Sequence, residues 1–134
     1  DAYEPSSNRS QMTLTEKTHL IVDAYNANPS SMQAALENFK IMQADNKMAI
    51  LGAMRELGEV SAEEHQHVVD YLKTSDIKTV WLVGEEFEDT QCDFRKFKDV
   101  EEVKAAIAAE QPAGHYILIK GSNSTKLYQL PELL

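Results

Sequence analysis

The 134-residue chain has one cysteine, Cys92, and one tryptophan, Trp81. A lone cysteine cannot close an internal disulfide, so the fold must rest on its core, and a reducing, cytoplasmic setting is expected. Four prolines and five glycines are too few for a collagen-like or low-complexity chain. No apolar run approaches the roughly 20 residues that span a bilayer. No basic stretch followed by an apolar one opens the chain, so no signal peptide is expected. Cations are also scarce. There are 13 Lys and Arg against 22 Asp and Glu, a formal net charge of −9. That balance argues against a nucleic-acid or anionic-membrane partner, because phosphate contacts need clustered Lys and Arg. Two nucleotide-binding fingerprints, GxxxxGK[ST] and GxGxxG, are missing. The first residue is Asp1 and not Met, which leads us to expect a piece of something longer.

What is present reads as one globular domain. Hydrophobic residues make up 43% and charged residues 26%, enough to bury a core at this length. Four short apolar runs, Leu20-Ile21-Val22, Met48-Ala49-Ile50-Leu51, Val80-Trp81-Leu82-Val83 and Tyr116-Ile117-Leu118-Ile119, do not alternate with polar residues. Strands buried on both faces of a parallel sheet have this pattern. Helical spacing separates them: Met32, Ala35, Leu36 and Phe39; His65, Val68, Val69 and Leu72; Val100, Val103 and Ile107. Asn28-Pro29, Ser61-Ala62-Glu63-Glu64 and Asp99-Val100-Glu101-Glu102 supply helix starts. The alternation predicts an α/β domain with right-handed crossovers. Residues 11–16 and 18–23 predict a hairpin, residues 93–97 a short edge strand, and Leu127, Leu130 and Leu134 a final helix interrupted or delayed by Pro131. Residues 1–10 are polar and read as an arm ahead of a domain spanning 11–134.

In such a sheet, ligands gather at the carboxyl ends of the strands. Asp23 ends the first apolar run. It could accept two hydroxyls, as from a ribose, or simply backbone N–H groups in a turn. Asn26 and Asn28 fit turn and cap roles. Lys120-Gly121-Ser122 follows a strand and combines a cation, a small residue and a hydroxyl, a weak signature of an anion site. His65 and His67 are two apart, so a regular helix cannot aim both at one metal, and His65 sits on the apolar stripe as a core-edge residue. No metal site is expected. Cys92 reads as a bystander, and Glu85, Glu86, Glu88 and Asp89 as a solvated acidic loop.

Three runs carry a resemblance: Asp23-Ala24-Tyr25-Asn26-Ala27-Asn28-Pro29-Ser30-Ser31-Met32, Leu51-Gly52-Ala53-Met54-Arg55-Glu56-Leu57-Gly58, and Lys120-Gly121-Ser122. In this order and spacing they resemble the C-terminal domain of the Mur ligases. The branch they are most similar to adds D-Ala-D-Ala to UDP-MurNAc-tripeptide in peptidoglycan synthesis. Asn8-Arg9-Ser10 is similar to the linker that opens that domain.

The resemblance implies a Rossmann-like three-layer sandwich: a mostly parallel sheet of about six strands, helices on both faces and an N-terminal hairpin. It implies an ATP- and Mg²⁺-dependent ligase in the full-length protein, in which this domain closes over the acyl-phosphate site of a central ATPase domain. Arg9 would reach the γ-phosphate, Asp23 would hold the ribose, and Tyr25, Asn26 and Asn28 would shape the nucleotide side of the cleft. Lys120, Gly121 and Ser122, with the loop after Leu51, would hold the dipeptide. Ala53 and Asn123 depart from the Asp and Arg frequent in the family. The isolated chain is expected to be inactive, with no tightly bound cofactor. The competing reading is a stand-alone α/β partner-binding or regulatory module without catalysis.

Overall fold

The computed structural model describes residues 11–14, 19–23, 27–42, 46–110 and 116–134. The apolar runs form strands β2 (His19–Asp23), β3 (Lys47–Gly52), β4 (Thr79–Val83) and β6 (Tyr116–Lys120), and the two short segments add β1 (Gln11–Leu14) and β5 (Arg95–Phe97). Their order in the sheet is β1-β2-β6-β3-β4-β5. β1 pairs antiparallel with β2 as the predicted hairpin, and all other pairings are parallel. Residues alternate between two cores. In β3, Ala49 and Leu51 face one, while Met48 and Ile50 face the other. With both faces covered, neither set needs to be polar, which explains the unbroken apolar runs.

Among the described residues, three α-helices complete the layers: α1 (Pro29–Ile41), α2 (Ser61–Lys73) and α3 (Val100–Glu110). The chain passes from β2 to β3 to β4 in one direction, then returns through α3 to lay β6 in the gap between β2 and β3. Right-handed crossovers in opposite directions place their helices on opposite faces. Accordingly, Met32, Leu36, Phe39, Val69 and Leu72 fill one core, and Val103 and Ile107 fill the other.

The helix starts bear out two of three expectations. Asn28 Oδ1 accepts from Ser31 N (2.8 Å), and Ser31 Oγ accepts from Asn28 N (3.0 Å), with Pro29 in the first turn. Asp99 Oδ1 accepts from Glu102 N (3.1 Å), and the Glu102 carboxylate accepts from Lys98 N (2.7 Å). The box at Ser61 does not form. A 3₁₀ turn at Gly58–Val60 runs straight into α2, so Val60 takes the cap position and Ser61 lies inside the helix.

The predicted fourth helix is also absent. Asn123–Thr125, Leu127–Gln129 and Pro131–Leu133 are three separate 3₁₀ turns. Lys126 adopts φ 60° between the first two, and Pro131 opens the third, where its missing N–H stops an α-helical bond. Leu127 and Leu130 are still fully buried on the α3 side. Among the described residues, no helix is long and apolar enough to cross a membrane.

Candidate functional site

The five parallel strands end on one rim. Inserting β6 creates the topological switch: the chain leaves β2 and β3 toward the α1–α2 face but leaves β6 toward the α3 face. A crevice therefore opens on each side of the end of β6, where open α/β sheets bind ligands.

On the β2 side, Asp23 and Lys120 are register partners at the last positions of their strands. Lys120 Nζ donates to Asp23 Oδ2 at 2.8 Å. The Lys120 side chain is 1% exposed and that of Asp23 20%. A buried ammonium requires such a counter-charge. The backbone adds a bond from Gly121 N to Asp23 O (3.3 Å). Asp23 Oδ1 is buried and has no hydrogen-bond partner among the described residues. The sequence pointed to Asp23 and Lys120 separately; their pairing was not legible, because the two lie far apart in the chain and meet only through strand register. Asn28 is exposed and caps α1 through its side-chain oxygen. Arg9, Tyr25 and Asn26 lie outside the described residues.

On the β3 side, three loops interlock. Ser122 Oγ donates to Ala53 O (3.1 Å). Arg55 Nε donates to Ser124 Oγ (2.9 Å), and its Nη1 pairs with Glu86 Oε2 (2.5 Å). Gly52 and Gly121 permit this approach. A Cβ on Gly121 would stand 2.9 Å from Gly52 Cα, and one on Gly52 would stand 2.6 Å from Thr125 Oγ1. Ala53 is fully buried, and a Cβ on Gly84 would come 2.8 Å from the Cβ of Ala53. Position 53 thus serves the site through its backbone. A cleft of about 250 Å³ opens here, lined among others by Arg55, Gly84, Lys98, Asp99, Ser124 and Lys126. Of its three cations, Arg55 falls in the loop after Leu51 that the resemblance assigns to the dipeptide, whereas Lys98 and Lys126 carry no role in the sequence reading.

His65 anchors this side from below. It is fully buried rather than at the core edge. Its Nε2 accepts from Met54 N (3.0 Å), which leaves Nδ1 to donate to Ser61 O (2.7 Å). Its ring meets Phe87 edge-on at 4.8 Å. Burial holds its pKa below the usual histidine value. The Ser61 backbone bond, Glu86 and Glu64 oppose that shift, and Arg55 adds to it. The neutral ring fixes the turn that carries Arg55.

A sequence profile of one family, described as the Mur ligase, glutamate ligase domain, matches residues 8–123. The chain belongs to that family. Among its Mur ligase relatives, the UDP-N-acetylmuramoyl-tripeptide–D-alanyl-D-alanine ligase of Rickettsia prowazekii is 37% identical over 89% of the chain, which spans 28% of that protein. The solved MurF of Acinetobacter baumannii superposes with a TM-score of 0.79 at 26% identity, over 95% of this chain and 29% of its own. MurF ligase of Thermotoga maritima, solved in complex with ADP, gives 0.76 at 25% identity, over 94% of this chain and 30% of its own. These neighbours share the mostly parallel α/β architecture, as expected from the sequence. The chain therefore spans less than a third of the Mur ligases it matches.

Proposed function

We propose that this chain is the C-terminal domain of the ATP-dependent ligase that adds D-Ala-D-Ala to UDP-MurNAc-tripeptide. In this reading it works in the bacterial cytoplasm, with residues 1–10 as the arm leading to its own central ATPase domain and residues 11–134 as the domain that closes over it. The observation that carries the reading is the 37% identity, over 89% of the chain, to a ligase named for that reaction. The two crevices support it.

When bound, ATP supplies the phosphoryl group that activates the tripeptide carboxylate for attack by the dipeptide amine. The orphaned Asp23 Oδ1 fits a hydroxyl donor such as a ribose. By the resemblance, Arg9 would reach the γ-phosphate, for which its always-charged, bidentate fork is suited. Tyr25, Asn26 and Asn28 would, by the same resemblance, shape the nucleotide side. The post-β6 loop, with Gly121 and Ser122, and the Arg55 loop flank the dipeptide. Arg55, Lys98 and Lys126 are the cations this cleft offers its carboxylate, beside Asp99 and Glu101 in the same lining. Lys120 is buried at the end of β6, with its ammonium turned to Asp23. Closure excludes water that would hydrolyse the activated carboxylate. Among the described residues, no three His, Cys, Asp or Glu side chains stand together to hold a metal. These residues do not fit a Mg²⁺ site.

The test is phosphate release. The full-length ligase carrying this chain should release phosphate from ATP only with UDP-MurNAc-tripeptide and D-Ala-D-Ala both present, and the 134-residue chain alone should release none. Release that is indifferent to D-Ala-D-Ala, or steady release by the isolated chain, would overturn the reading.

A further inference from the structure

We infer that Lys120 is a positioning residue: it acts through Asp23, holding one carboxylate oxygen so that the other faces the nucleotide, and does not itself grip the dipeptide. The inference rests on the reading of Asp23 as a nucleotide contact. It replaces the anion-clamp role that the Lys120-Gly121-Ser122 run suggests.

Three observations carry it. First, the Lys120 side chain is 1% exposed, and Lys120 is not among the residues lining the cleft beside Arg55. A dipeptide carboxylate in that cleft would meet Arg55, Lys98 or Lys126 before it met this ammonium. Second, the ammonium is committed. Its bond to Asp23 Oδ2 is 2.8 Å long and charge-assisted, and the register of β2 on β6 places both side chains on one face of the sheet. That face is the α1 side, where Asp23 lines a hollow with Ile21, Ala35, Phe39 and Leu118. Third, the pairing is one-sided. Oδ2 is taken, whereas Oδ1 is buried with no partner among the described residues. An ionised oxygen left this way is costly unless a donor arrives. Lys120 fixes the rotamer, and a ligand hydroxyl completes the shell.

The experiment uses the full-length ligase carrying this chain and two readouts: the Kd for ADP by calorimetry and the KM for D-Ala-D-Ala. Asp23→Asn is measured first. If its ADP Kd equals wild type, the nucleotide reading of Asp23 fails, and the role of Lys120 falls with it. If ADP binding weakens roughly tenfold, as loss of one charge-assisted bond implies, the nucleotide reading stands and Lys120 is then tested by itself. Lys120→Met should weaken ADP binding by a similar factor while the KM for D-Ala-D-Ala stays within about twofold. Lys120→Met combined with Asp23→Asn should bind ADP no worse than Asp23→Asn alone, since both changes break one unit. A rise in the dipeptide KM with ADP binding unmoved would overturn the inference and restore the clamp. Additive losses in the double variant would also overturn it. Should Lys120→Met fail to fold, the double variant, which removes both charges, decides against Asp23→Asn on the same two readouts.

Discussion

The two crevices beside β6 are built from the same kinds of residue but hold their charges differently. On the β2 side, one cation and one carboxylate are sealed together, with Lys120 1% and Asp23 20% exposed. On the β3 side, Arg55 is 41% and its partner Glu86 24% exposed, and the pair opens onto a cleft with Lys98 and Lys126. A sealed pair is rigid and costly to break, because one partner alone is a stranded charge. A wet pair contributes little to stability and can exchange partners when a ligand arrives. The first side suits the fixing of one acceptor, the second the capture of a small charged substrate.

The harshest way to break the comparison is to remove the strand both sides share. Ile117 in β6 is fully buried and pairs with Leu20 of β2 and Met48 of β3. Ile117→Asp strands a carboxylate in the core and should cost more than about 4 kcal/mol, unfolding the chain. Circular dichroism should show loss of the cooperative thermal transition. A folded variant would mean that β6 is not the keystone.

Next comes the sealed pair. Lys120→Met should cost about 3 kcal/mol in urea denaturation, because it leaves the Asp23 carboxylate unpaired. Adding Asp23→Asn should recover most of that loss. If the double variant is as unstable as the single, the lysine stem contributes through packing and not through charge.

The strands and helices could be read from the sequence because burial on two faces and helical spacing are properties of contiguous residues. The 3₁₀ tail could not be read so well. Leu127, Leu130 and Leu134 have a helix-like spacing, but Lys126 at φ 60° and Pro131 break the backbone between them. The failed box at Ser61 has the same kind of cause, a preceding turn that takes over the cap position. At the site, Asp23 and the Lys120 loop were visible as strand-end residues. Their union, and the linkage of Arg55 to Glu86 and Ser124, depend on β6 lying between β2 and β3, which no local pattern encodes.

His65 gives a smaller effect and one that depends on pH. Its pKa is lowered in the folded chain, chiefly by burial, so the unfolded chain binds this proton more readily. Stability is fully present above the unfolded value, about 6.5. It declines as pH falls from there toward the folded value, by about 1.4 kcal/mol for each unit separating the two. Glu86, Glu64 and Arg55 are the charged groups that act on the ring. His65→Gln does not titrate and can still offer an acceptor to Met54 N. The difference in unfolding free energy between wild type and this variant should therefore shift in the variant's favour below pH 6.5. A pH-independent difference would show that the ring does not resist protonation.

The smallest effect on stability, and the sharpest contrast, belongs to Arg55. Arg55→Met removes the bonds to Glu86 and Ser124, yet Ser124 is exposed and the Glu86 side chain keeps 24% of its surface in water, although its Oε1 is buried. The cost in urea denaturation should be about 1 kcal/mol or less. In the full-length ligase its signature should mirror that of Lys120: the KM for D-Ala-D-Ala rises several-fold while ADP binding stays put, because the wet pair serves the cleft and the sealed pair serves the nucleotide. If Arg55→Met instead weakens ADP binding, the two crevices do not divide the ligands between them, and exposure has not separated a substrate contact from a framework one.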